Sequence, residues 1–256
     1  MRIVLLVPAV LDSFFTRALA SVLDDPQLDV VGALVERRPR GSRLRVLRRE
    51  LRKGRGGFVL VMAARRLRRT RSGGGEPAIA FLERHGVRGW PVSDLYAFET
   101  IALLRSLDAD CAVRSGFGII REPVLSIPQR GMLSYHHGDI RRYRGQPVAF
   151  WELYNGEREM AVTVQLLSER LDAGRIVVQR PVPIRPTDSW RDLRQRAYDA
   201  GVDMLHEACR LVARDDFVPE VVPPEQLGDL YTLPNLRQWL GLQRRVLLRR
   251  LRAARS

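Results

Sequence analysis

The chain opens with an unbroken apolar run from Arg2 to Val7, RIVLLV, the pattern of a parallel strand covered on both faces. Ser13 to Leu23 then carries its apolar residues at helical spacing, and Leu28 to Val35 repeats the strand pattern, so the chain begins as a βαβ unit. Alternation stops between Arg37 and Gly75, where arginines surround an apolar island from Phe58 to Ala64. This stretch reads as a helical excursion ending in a flexible Ser72-Gly73-Gly74-Gly75 linker. The pattern then resumes with a helix near Pro77 to His85, a short strand near Val87 to Val92, a helix from Tyr96 to Leu107 and strands at Asp110 to Arg114 and Met132 to Tyr135. Two more strands are expected at Met160 to Leu167 and Arg175 to Pro183. Thr187-Asp188-Ser189 offers an N-cap for one long helix whose stripe runs through Trp190, Leu193, Ala197, Met204, Leu205, Ala208, Leu211 and Val212. Beyond Arg214 come a proline-containing connector, Val218 to Glu225, and a basic amphipathic stretch, Leu236 to Leu251.

Strands alternating with helices imply an α/β fold, a Rossmann-like three-layer αβα sandwich around a mostly parallel sheet. The expected organisation is a domain over residues 1–215, with a basic variable insertion at 37–75, followed by a connector and tail over 216–256. No GxGxxG follows the first strand, where VPAVLDS stands instead, so dinucleotide binding has no support. Ligands of such sheets sit beyond the carboxyl ends of strands, which directs attention to Ser115–Ile120 and to His136–Asp139. Cys111 and Cys209 lie in apolar contexts without CxxC spacing or a secretory segment, so the expected setting is a reducing cytoplasm. The initial apolar run is too short to span a bilayer. Net charge is +14, yet Lys53 is the single lysine, an arginine skew that a GC-rich coding bias also produces. Charge alone is therefore discounted. Three basic blocks remain, Arg37–Arg55, Arg65–Arg71 and Arg237–Arg255, read first as solvated helix faces and second as contacts for phosphates, a partner or an anionic surface.

From Gly131 to Val177 the chain reads GMLSYHHGDIRRYRGQPVAFWELYNGEREMAVTVQLLSERLDAGRIV. This stretch resembles the catalytic core of the formyltransferases that take a one-carbon unit from 10-formyltetrahydrofolate. The family pattern can be followed without a gap through His136, Tyr143-Arg144-Gly145, Trp151, Asn155-Gly156-Glu157, Val162-Thr163 and Asp172-Ala173-Gly174. The resemblance covers about Arg2 to Val212, densely from Gly131 onward. It implies 10-formyltetrahydrofolate as cosubstrate and a catalytic set of an Asn, a His two residues later and a distant Asp. These fall on Ser134, His136 and Asp172. It also implies a pterin cradle of Phe117, Gly118, Ile119 and Ile120, with Leu171, in the loop before Asp172, on the other wall. His137, Arg144 and Gly145 are the expected acceptor-side contacts.

Formyl transfer to an amine needs a proton acceptor for the attacking nitrogen, a donor for the developing oxyanion and a proton source for the leaving nitrogen. Residues two apart on a strand share a face, so Ser134 and His136 point together and His137 points away. Serine is shorter than the family's asparagine, and an oxyanion donor is worth about 2.7–4 kcal/mol in the transition state. A bridging water, a donor from His137 or a differently seated substrate would each repair the shortfall. The family's SLLP is replaced by Gly138-Asp139-Ile140-Arg141, and Pro147 sits one place early, which implies a remodelled acceptor side. A Ser134/His136/Asp172 hydrolase triad lacks a GxSxG elbow, and a His136/His137/Asp139 metal site is opposed by diverging strand neighbours, so no metal is expected. The resemblance suggests several acceptors: initiator methionyl-tRNA, glycinamide ribonucleotide, nucleotide-linked amino sugars, or water in formylfolate hydrolysis. The residues after Arg214 are too few for the barrel domain of the tRNA enzymes, so the expected acceptor is a phosphate-bearing small amine. The alternative from another class is a catalytically retired fold used as a binding module.

Overall fold

A computed structural model describes residues 1–37, 52, 75–169 and 173–253. The insertion expected at 37–75 lies almost wholly outside the described residues, as do Leu171 and Asp172. In chain order, β1 (Arg2–Pro8) leads through β2 (Val10–Leu11) and α1 (Ser13–Leu23) to β3 (Asp29–Glu36). Beyond residue 75 come β4 (Glu76–Pro77), α2 (Ala78–Arg84), β5 (Gly89–Val92), α3 (Phe98–Ser106), β6 (Cys111–Arg114) and β7 (Met132–His136). The described strands of the main sheet take the order β10-β9-β7-β6-β1-β3-β5, where β9 is Glu159–Leu166 and β10 is Arg175–Pro183. β5, β3, β1, β6 and β7 are parallel; β9 and β10 add to β7 as antiparallel neighbours. This is the mostly parallel sheet that the alternating pattern predicts.

Period-two alternation divides the core in two. Ile3, Leu5 and Val7 of β1 face one layer, built from α1, α2, α5 (Trp190–Gly201) and α6 (Met204–Val212). Val4 and Leu6 face the other, where Leu104 of α3 packs with Ile120, Val124 and Leu125. Each of the five β1 side chains from Ile3 to Val7 is fully buried, as a run apolar on both faces requires.

The single long helix expected over 190–212 is instead two. In an unbroken helix the Leu205 N–H would donate to the Gly201 carbonyl. Here Leu205 N–H donates to the Tyr135 hydroxyl (3.0 Å), which in turn donates to the Gly201 carbonyl (2.5 Å). A phenol from β7 thus takes one rung of the ladder and separates α5 from α6. The apolar stripe continues across the break, which is why spacing alone did not reveal it. The expected cap is present: the Ser189 side chain and Asp192 form a reciprocal capping box at the start of α5.

The C-terminal segment is built into the body. β11 (Asp229–Tyr231) pairs in parallel with β8 (Tyr143–Gly145), and α7 (Leu236–Ala253) buries Trp239, Leu242 and Val246 in the first core. Among the described residues no helix is long and apolar enough to cross a membrane.

Candidate active site

The carboxyl ends of β6 and β7 meet on the second face of the sheet. Arg114 of β6 is in register with Ser134 of β7, Ser134 with Gln165 of β9, and His136 with Thr163 of β9, which pairs in turn with Gln179 of β10. Among the described residues six polar or charged side chains are buried, and Ser134, His136, Thr163 and Gln165 are four of them. A polar cluster at the head of an otherwise apolar sheet face costs desolvation unless it is paired, so its hydrogen bonds show what the fold maintains there.

His136 is the most firmly placed. Its Nε2 lies 2.8 Å from the Tyr143 carbonyl oxygen, which can only accept, so that nitrogen carries the proton and a neutral ring keeps its lone pair on Nδ1. Gly138 makes the contact possible, because a Cβ there would come within 2.7 Å of Nε2 and 2.9 Å of the same carbonyl. The carbonyl is itself braced. The Tyr143 hydroxyl donates to Glu157 (2.7 Å) and accepts from Asn155 Nδ2 (2.9 Å), while Arg142 pairs with Glu157 at 2.6 Å. Tyr143 and the Asn155-Gly156-Glu157 turn, far apart in sequence, thereby hold the imidazole at one remove. A second brace runs through Thr163, whose hydroxyl donates to the Gly138 carbonyl (2.8 Å) and accepts from Gln179 (3.0 Å); Gln179 also reaches Asp139 at 3.3 Å.

Glu152 stands beside this assembly on α4 (Phe150–Asn155), at a cavity of about 230 Å³ that Asp139, Arg142, Tyr143 and Gln179 also line. Burial pushes its carboxyl up to about 7, while its own backbone N–H and the nearby His136 pull the other way. A larger cavity, about 680 Å³, is lined by Met1, Leu28, His206 and Arg210 at the amino ends of β1 and β3, the wrong end for ligands of such a sheet.

Ser134 is 3% exposed, and its Oγ lies 3.4 Å from Arg114 Nη1 and 3.5 Å from the Tyr135 carbonyl. His137 turns to the opposite face, as alternation requires. It packs among Phe14, Tyr135 and Tyr198, with ring centroids 4.8–5.5 Å away, and its Nε2 is buried without a hydrogen bond. Burial and the neighbouring His136 push its pKa down to about 3. The two adjacent histidines are therefore not brought together, neither for a metal nor for a shared acceptor.

The expected cradle follows β6. Phe117 and Gly118 both have φ of 64°, the left-handed backbone that clusters at ligand clamps when it falls on a non-glycine residue. Phe117 packs partly on the second core, Ile119 is 53% exposed and Ile120 is buried in that core. The segment expected to form the opposite wall follows β9, and Leu171 in it lies outside the described residues. Its two ends are tied, Ser168 Oγ donating to the Ala173 carbonyl (3.0 Å) and Gly174 N–H to Gln165 Oε1 (2.9 Å), so they stand beside the Ser134–Gln165 row. Arg144 and Gly145 belong to the β8–β11 ribbon. Arg144 Nε donates to the Gly228 carbonyl (2.7 Å), and Gly145, at φ 95°, has the Tyr231 carbonyl where a Cβ would sit.

Arg114, Gln165 and Gln179 were not singled out as site residues in the sequence, and Thr163 only as part of the family pattern. The available signal was polarity at alternate positions of otherwise apolar strands, as in EMAVTVQL and CAVR.

The chain matches the formyl transferase family over residues 40–209. A methionyl-tRNA formyltransferase of Citrifermentans bemidjiense is 31% identical over 145 residues, 56% of this chain and 46% of that protein. Its counterpart in Thermosynechococcus vestitus is 35% identical over 131 residues, covering 50% and 40% respectively. The aligned stretch thus spans less than half the length of these relatives. In architecture the chain is similar to phosphoribosylglycinamide formyltransferase from Anaplasma phagocytophilum, with a TM-score of 0.62 at 14% identity over 91% of this chain and 99% of that one. It is also similar to an N-formyltransferase from Helicobacter canadensis in complex with folinic acid and dTDP-3-aminofucose, with a TM-score of 0.59 at 12% identity over 91% and 71%. At these identities the likeness to solved structures establishes the fold.

Proposed function

The chain belongs to the formyl transferase family, and we propose that it transfers the formyl group of 10-formyltetrahydrofolate to the amine of a phosphate-bearing small molecule such as an amino-sugar nucleotide. The observation that carries this reading is the buried His136, locked in one tautomer by the Tyr143 carbonyl at the end of the strand that also presents Ser134. The folate lies against Phe117–Ile120 and the wall containing Leu171, its formyl carbon between Ser134 and His136. The acceptor nitrogen attacks that carbon, and His136 takes the proton that the nitrogen gives up. Ser134 donates to the oxygen on which negative charge develops. When the carbon–nitrogen bond to the folate breaks, His136 returns the proton to the departing nitrogen, leaving a formamide and tetrahydrofolate. Asp172 supplies the carboxylate that stabilises the imidazolium between these steps. His137, on the far face, packs rather than contacts the acceptor; Arg144 and Gly145 shape the site through the β8–β11 ribbon.

The clustering of arginine into blocks, rather than the net charge, supports an anionic acceptor. A second acceptor, initiator methionyl-tRNA, is favoured by a different observation: identity of 31% and 35% to the two methionyl-tRNA formyltransferases. The test is consumption of 10-formyltetrahydrofolate with a panel of amino-sugar nucleotides, glycinamide ribonucleotide and methionyl-tRNA. Turnover with one small amine and none with tRNA is expected, abolished by His136→Ala with folate affinity kept within about tenfold. Turnover with tRNA alone would replace the acceptor. Folate binding without turnover on any of them would favour the binding module.

A further inference from the structure

The geometry points to Arg114 as the group that completes the oxyanion site which Ser134 alone is too short to form. This inference rests on the proposed formyl transfer and adds a residue to it.

Three observations converge on Arg114. It is the last residue of β6, and in-register pairing with Leu6 and Ser134 sets its side chain on the second face, above the apolar layer that Leu6 and Ala112 help to build. At the head of that layer the side chain is half-buried. Its guanidinium is also aimed. Nε donates to the Gly116 carbonyl at 2.8 Å, Nη2 donates to the Gly118 carbonyl, and Nη1 is thereby directed at Ser134 Oγ, 3.4 Å away. The planar fork has little freedom once two of its nitrogens are fixed, so Nη1 is delivered with the precision a transition-state donor needs. Finally, the two carbonyls that aim it flank and belong to the left-handed Phe117–Gly118 turn, so the segment expected to cradle the folate also sets the arginine.

Serine and arginine together meet what a longer amide side chain would meet alone. The Ser134 hydroxyl keeps its oxygen toward Nη1 and turns its hydrogen to the formyl oxygen, while the guanidinium beside it supplies positive charge and a second N–H as negative charge accumulates. A charged donor is stronger than a neutral one, so the shorter reach of serine is offset. This repair differs from a bridging water and from His137, which faces the other side of the sheet. The bond changes are those of the transfer itself; Arg114 neither gains nor loses a proton.

The test uses 10-formyl-5,8-dideazafolate labelled with ¹³C at the formyl carbon, a stable analogue with the formyl group on the same nitrogen. Calorimetry comes first: an intact protein that binds no analogue would overturn the formyl-transfer reading itself. With binding established, isotope-edited infrared spectroscopy should show the bound formyl carbonyl at lower frequency than in water, moving back up in Arg114→Met and part of the way in Arg114→Lys. In turnover, Arg114→Met should lower kcat by about 10²–10³-fold, with KM for the folate little changed. Added guanidinium should restore part of the rate, and so should Ser134→Asn in the Arg114→Met background, whereas Ser134→Asn alone should bring no gain. If Arg114→Met does not fold, the carbonyl shift from wild type to the Lys variant decides between the outcomes. A carbonyl band unmoved by substitution, or a loss confined to melting temperature and KM, would reduce Arg114 to a prop for the 115–118 turn and overturn the inference.

Discussion

Two titratable side chains near the strand end, the buried Glu152 and the half-buried His137, respond to pH in opposite senses. Burial holds the His137 pKa at about 3, below the ordinary 6.5, so the unfolded chain binds a proton that the native state refuses. Its contribution is complete above 6.5 and is lost as pH falls toward 3. Glu152 is held up at about 7 against an ordinary 4.5, so the native state keeps a proton that the unfolded chain has released. That contribution is complete below 4.5 and is lost as pH rises through 7. Between pH 4.5 and 6.5 the two slopes oppose each other and partly cancel in the wild type. His137→Phe, which fits the Phe14–Tyr135–Tyr198 box and removes an unsatisfied buried nitrogen, should leave stability falling with rising pH across that interval. Glu152→Gln should leave it rising, and should stabilise the protein at pH 8 by on the order of 3 kcal/mol. Denaturant titrations at four pH values check both signs; identical pH profiles for wild type and both variants would mean that these groups sit in more solvated surroundings. The cysteines add nothing reactive, since both are buried and burial raises the Cys111 thiol to about 12 and Cys209 well above its ordinary value.

Elements were legible where their physics is local. β1, α1 and β3 declare themselves through a continuous apolar run and helical spacing, and Ser189 at the head of α5 is a cap readable on sight. What escaped depends on partners distant in sequence. β8 and β11 are three-residue strands that exist because each pairs with the other across some 85 positions, and the break between α5 and α6 comes from a tyrosine on β7. The basic helix α7 shows both sides of this. Its basic amphipathic character was readable, but not which face is buried: Leu236, Leu240, Leu247 and Leu251 are exposed, while Trp239 lies against Phe150 and Trp190, at centroid distances of 6.2 and 5.4 Å, and Arg250 reaches Asp192 and the Thr187 carbonyl. Docking of α7 should therefore depend on that indole: Trp239→Ala should cost about 3–5 kcal/mol in denaturant unfolding. A loss below about 1 kcal/mol would mean that the helix rides on the surface without anchoring.

At the scale of the whole molecule, a sheet covered on both faces leaves its strand ends as the place where polar side chains can be both held and reached. Several of the described motif residues lie near those ends for separable reasons. Ser134 and His136 share the second face of β7; Tyr143, Asn155 and Glu157 brace the carbonyl that fixes His136; Gly138 and Gly145 clear space for the main chain. A long motif records neighbours and supports alike, so the sequence points to this group of residues more readily than to what each does. It did not disclose Arg114, whose meaning appears only once β6 lies beside β7. The central claim is that the folate occupies the strand-end cleft rather than the larger cavity at the other end of the sheet. Hydrogen exchange followed by mass spectrometry, with and without saturating 10-formyl-5,8-dideazafolate, tests this most directly. The account predicts slowed exchange at residues 115–120, 134–138 and 165–169, with residues 206–214 unchanged; protection centred on 206–214, with the strand ends unaffected, would contradict it.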